Sequence, residues 1–122
     1  MTTMYWQARD LDGANGWRPR ADVIESDQGY ELDLDLPGVA RETLDIQVAN
    51  DTVIVKGERK PAAAPEAYHR VERPQGAFER VFGLPEFVNQ QAIEAKLSDG
   101  VLKLFLPRRE ETKPKQITVQ VQ

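Results

Sequence analysis

The chain has 122 residues, 40% of them hydrophobic and 30% charged; that length holds one domain, and such a composition buries roughly 65% of its unfolded surface. A net charge of −4, from 20 acidic against 16 basic side chains, offers no sequence-wide positive field for phosphate backbones, so nucleic acid is not an expected partner. Zero cysteines exclude disulfides, thiolate metal sites and cysteine nucleophiles. No window approaches the ~18 apolar residues of a membrane span, and the opening residues carry no leader pattern, which makes the cytoplasm the expected compartment and a membrane an unexpected partner.

Met1 to Gly16 lacks periodicity and reads as an arm before the domain. From Tyr30 to Leu36, apolar and acidic residues alternate, which predicts a half-buried strand with Glu31, Asp33 and Asp35 in water. Leu44, Ile46 and Val48 alternate with polar residues, and after the turn residues Asn50-Asp51 comes the β-branched run Thr52 to Val55, so this pair predicts a hairpin. The stretch Arg59 to Pro74 predicts a protruding loop, since Pro61 to Pro65 pairs poorly in a sheet while Ala67 to Arg73 suits a short isolated strand. Phe78 to Phe82, Ile93 to Leu97 and Val101 to Leu106 predict three more strands closed by Pro, Gly or Asp-Gly. No segment sustains a helical apolar pattern; the fold expected is all-β, an immunoglobulin-like sandwich over residues 17–107, with 1–16 and 108–122 as arms.

The end of the chain is unusual for a tail. After the charged spacer Arg108 to Lys115, Ile117, Val119 and Val121 fall on one side of an extended segment. One reading is a detached strand that adds to an exposed sheet edge. The other is a last strand folded onto its own domain.

Catalytic and metal chemistry find little support. His69 is the only histidine, and without cysteines its co-ligands would all be carboxylates, which suits neither zinc nor copper. A serine triad would have to join His69 to Ser26 or Ser98, and Ser98 opens the Ser98-Asp99-Gly100 turn, where its hydroxyl serves local backbone. The row Glu31, Asp33, Asp35 lies on a solvated face with nothing in the sequence to raise a pKa. No glycine-rich nucleotide loop occurs. The expectation is a protein that is not an enzyme and needs no cofactor or metal.

Four motifs in order carry a resemblance: Asp35-Leu36-Pro37-Gly38-Val39; Gly76-Ala77-Phe78-Glu79-Arg80-Val81-Phe82-Gly83-Leu84-Pro85; Ala95 through Gly100-Val101-Leu102, running on to Leu106-Pro107-Arg108; and Ile117-Thr118-Val119. Over about Trp17 to Val119 the chain resembles the small heat-shock protein family, whose core is the α-crystallin domain. The resemblance implies an ATP-independent chaperone that holds partly unfolded client proteins and assembles from homodimers into oligomers. It further implies that Ile117 and Val119 dock in a neighbouring subunit, between the segments Glu42 to Ala49 and Ala92 to Leu97. Leu44, Ile46, Val48, Ile93, Ala95 and Leu97 would line that groove, although a sandwich core needs the same six side chains.

Pro74-Gln75-Gly76 separates the Ala67 to Arg73 strand from the next one, which is similar to the bacterial and plant form, where the loop strand is exchanged between partners. Tyr68, His69, Val71 and Arg80 are then expected at the dimer interface. Arg80 matches the family's central arginine and shares a face with Phe78 and Phe82, so a dimer or inter-strand ion pair is expected for it. Unlike most of the family, whose longer arms help bind clients, the arm before the domain is short, and Tyr5, Trp6 and Leu11 are what remains of it. The alternative class is a co-chaperone-like sandwich adaptor for one specific partner, which has no need of a self-docking tag.

Overall fold

The structure, a computed structural model, describes residues 17–110 and 117–121. Seven antiparallel strands form two sheets: β1 (Ala21–Ser26), β2 (Gly29–Asp35), β3 (Asp45–Ala49), β4 (Thr52–Arg59), β5 (Gly76–Gly83), β6 (Glu94–Ser98) and β7 (Val101–Pro107). One sheet has the order β1-β2-β7-β6 and the other β3-β4-β5. Among the described residues the only helical pieces are short 3₁₀ turns such as Arg41–Thr43 and Pro65–Ala67. The all-β sandwich read from the sequence is what forms.

Period two explains the core. Leu32 and Leu34 of β2 pair in register with Leu104 and Leu102 of β7, while Val53 and Val55 of β4 lie opposite Phe82 and Arg80 of β5. Directly paired residues project to the same face of a sheet, so these rows meet between the layers, and all the leucines and valines among them are at most 2% exposed. Two-residue turns fix the alignment: Asn50 and Asp51 both have positive φ, 53° and 61°, the backbone that twists a β3–β4 hairpin correctly. Asp99 and Gly100 repeat this between β6 and β7, at 55° and 77°. Packing also dictates Gly57, because a Cβ there would come within 2.8 Å of the Phe78 ring that lies across from it.

Two elements differ from expectation. β1 carries no clear alternation, since only Ala21 and Val23 are half-buried and the rest of the strand is exposed; it is an edge strand held by pairing with β2. The Ala67 to Arg73 segment, expected as a strand, forms none: Pro65–Ala67 is a 3₁₀ turn, and Tyr68 packs back on the loop, its hydroxyl accepting from the Ala62 amide at 2.9 Å. An isolated extended segment needs a sheet edge for its backbone donors and acceptors, and among the described residues this one pairs with no strand.

Candidate functional site

The sandwich has two rims, and they are built differently. At one rim, residues 17–20 run between the sheets on the way into β1: the Trp17 amide donates to Ala77 of β5 at 3.3 Å, and the Asp35 amide of β2 donates to Arg20 at 3.1 Å. This stitching brings the β1 and β5 edges to the same side, and so leaves β3 and β6 as the edges of the opposite rim.

Two arginines close the first rim from inside. Arg80 takes an inward position opposite Val55, is 6% exposed, donates to the Pro19 carbonyl and lies 4.9 Å from the centre of the Phe82 ring. The face predicted for it is thus correct, and a backbone carbonyl of its own subunit is one of its partners. Arg59 is the residue that sequence reasoning missed. It is 7% exposed, stacks 4.2 Å over the Trp17 ring and donates to the Pro37 carbonyl at 3.1 Å. Burial, and then the neighbouring charge of Arg73, push its guanidinium below its ordinary value. A signal was available: along β4, residues 53, 55, 57 and 59 share one parity, so Arg59 falls in the row of Val53 and Val55.

The opposite rim is open. On β3, Ile46 and Val48 pair with the fully buried Val55 and Val53 and therefore face inward, yet both are only half-buried. On β6, Ala95 pairs with the fully buried Leu104 and Leu97 with Leu102, so both also face inward; Leu97 is half-buried and Ala95 is exposed. Leu44 and Ile93 pack against the same core and remain half-buried. Ala95 thus faces inward at the sheet edge and is still reached by water. The six predicted lining residues thus fall into five half-buried side chains packed on the core and one exposed alanine.

Ile117, Val119 and Val121 are 84%, 82% and 93% exposed, and residues 117–121 form no strand. His69 and Val71 are exposed in the 60–75 loop and Tyr68 is half-buried there. Tyr5, Trp6 and Leu11 lie outside the described residues.

The outer face of the β1 sheet corrects one expectation. Glu31 and Asp33 sit two apart on β2, and Glu31 titrates above its ordinary value because it shares a hydrogen bond with Asp33, loses some hydration and feels Asp33's charge, while Lys103, 3.7 Å away, pulls it back. The sequence contained this pair, but its proximity depends on strand pleating. Ser26 is a turn residue, its hydroxyl accepting from the Gln28 amide at 3.2 Å. Among the described residues, no group of three or more His, Cys, Asp or Glu side chains gathers as a metal site, and no helix is long and apolar enough to cross a membrane.

Comparison with known proteins settles the lineage of this arrangement. The Hsp20/alpha crystallin family matches residues 22–122. The chain belongs to that family. It is 37% identical over 103 residues to small heat shock protein C2 of Rickettsia felis, covering 83% of this chain and 67% of that one. It is also 43% identical over 108 residues to the 17.6 kDa class II heat shock protein of Arabidopsis thaliana, covering 83% and 70%. Against a second Rickettsia felis relative, small heat shock protein C4, the match spans 63% of the relative's length. A crystal structure of a small heat-shock protein from Xylella fastidiosa superposes with a TM-score of 0.74 at 36% identity, over 87% of this chain and 99% of that one. These relatives come from bacteria and plants, as the sequence resemblance implied. Membership of the Hsp20 family supports a chaperone role, and nothing in the site points to catalysis.

Proposed function

We propose that this chain is an ATP-independent holdase that assembles from strand-exchanged dimers through its C-terminal tag. The observation that carries the reading is the pairing of an exposed alternating stripe, Ile117 and Val119, with an open rim whose inward alanine is still wet. A docked tag would bury two apolar side chains worth about 1.5–3 kcal/mol each and add backbone hydrogen bonds of about 0.5–1.5 kcal/mol apiece. The same rim, when vacant, offers apolar surface to clients whose own cores are transiently exposed.

Edge accounting supports the exchange. The β5 edge is engaged by its own subunit at Ala77, which accepts from the Trp17 amide, whereas β1 has β2 as its one strand neighbour among the described residues. Pro74, at the foot of the loop, lies beside Trp17 to Arg20, where β1 begins. Residues 67–73 of a second copy are the ribbon this edge accepts, with Tyr68, His69 and Val71 as contacts and Arg80 bracing the segment beneath.

The test is a full-length Ile117→Gly/Val119→Gly variant. Its mass by light scattering falls to that of a dimer while its melting temperature holds, since the tag lies outside the core. An unchanged mass refutes tag docking. Suppression of heat aggregation of a labile enzyme without added nucleotide checks the holdase activity, and failure at stoichiometric excess refutes it.

A further inference from the structure

A chain with net charge −4 gathers positive charge in one cleft of about 500 Å³ under the 60–75 loop. Arg59, Lys60, Arg70 and Arg73 line it, with Glu72 as the one acidic lining residue, and Glu72 is already engaged by Arg70 at 3.0 Å. Arg59 is the unusual member. It is buried, and no carboxylate among the described residues pairs with it; its recorded partners are one carbonyl and one aromatic face. A guanidinium has five donors, and a buried cation without a counter-ion is costly.

The loop adds to that cost by bringing a second cation. Arg59 and Arg73 line the same cleft, and the charge of Arg73 acts on the buried Arg59 guanidinium; both side chains also crowd Gly38, where a Cβ would lie 3.2 Å from Arg59 Cδ and 4.0 Å from Arg73 Nη2. Two guanidinium groups lining one cleft are suited to an oxyanion, which accepts from both forks and cancels their repulsion.

We propose that the cleft lined by Arg59 and Arg73 binds a phosphate-class oxyanion, and that its occupancy holds the 60–75 loop on its own subunit in competition with strand exchange. The second half rests on the exchanged dimer proposed above. Vacant, the self-docked loop presses Arg73 toward a buried like charge and release is favoured; occupied, the loop becomes part of the binding site. A ligand that binds only the self-docked form opposes dimerisation by mass action. Because each dissociating dimer creates two sites, the dimer Kd rises about fourfold when the free ligand equals its own Kd.

The experiment uses full-length protein with Ile117→Gly/Val119→Gly, so that the dimer is the end point, with and without Arg73→Gln. Sodium tripolyphosphate is the probe, against sodium chloride at matched ionic strength. Sedimentation then shows tripolyphosphate raising the dimer Kd severalfold, and calorimetry shows binding; Arg73→Gln removes both. A dimer Kd indifferent to tripolyphosphate, or an Arg73→Gln variant that responds like its parent, overturns the proposal. So does absence of binding heat together with a dimer weakened by Arg73→Gln in chloride alone, a result that assigns the cations to a partner's carboxylate. A protein that never dimerises refutes strand exchange instead, and the calorimetric comparison still decides whether the anion site exists.

Discussion

The two rims of this sandwich solve one problem in opposite ways. At the β1/β5 rim, backbone hydrogen bonds and two buried guanidinium groups seal the space between the sheets. At the β3/β6 rim nothing comparable is inserted among the described residues, and the inward rows stop half-covered. Polar groups can close a rim only if every donor finds a partner, which here ties the space between the sheets to the subunit's own backbone while the outer edge of β1 keeps a neighbour on one side only. Apolar residues tolerate being left partly wet at modest cost, and the open side remains available to another molecule. A protein that must be both durable and adhesive can thus divide the two demands between its edges.

Substitutions sharpen the contrast. The largest effect belongs to neither rim: Leu104→Ala, in the fully buried row beneath Ala95, costs about 2–5 kcal/mol in chemical denaturation. Next comes the sealed rim, where Arg80→Ala leaves the Pro19 carbonyl without this donor and costs about 1–3 kcal/mol. At the open rim, Ala95→Glu changes stability by no more than about 0.5 kcal/mol, as exposed sites do, yet lowers the solution mass because a carboxylate takes the inward position at the sheet edge. If Ala95→Glu unfolds the protein, or leaves the mass untouched, the rims do not differ as described.

Most of this architecture was legible because period two is a direct physical readout of half-burial. Leu32, Leu34, Val53, Val55, Leu102 and Leu104 declare their strands and their faces. β1 was silent because an edge strand can be stabilised by backbone pairing alone, with Asp22, Glu25 and Ser26 left in water. Arg59 was hidden by its charged neighbours Glu58 and Lys60, and its burial becomes visible only when parity is carried to the end of β4. Trp17 and Pro19, which hold the two arginines, lie far from them in sequence, so no local pattern announces the contacts. The exposure of inward-facing Ala95 depends on the width between two sheets, a quantity that strand sequences do not encode separately.

The smallest effect is on a face that belongs to neither rim. Glu31 titrates above its ordinary value in the folded chain, so the native state holds the proton more tightly than the unfolded one; the associated stability is present below the unfolded pKa and is lost as pH rises through the folded pKa. Glu31→Gln therefore raises the melting temperature slightly at neutral pH and flattens its dependence across that acidic window. Melting curves recorded from mildly acidic to neutral pH check the sign, and a Glu31→Gln variant that is less stable at neutral pH refutes it.

The hairpin at Asn50 and Asp51 has a reach beyond its size. A slip of one residue in the β3–β4 pairing would turn Ile46 and Val48 to the outside and point Asp45 and Gln47 inward. Two left-handed residues at a turn therefore act as the alignment key for which β3 side chains face the other sheet.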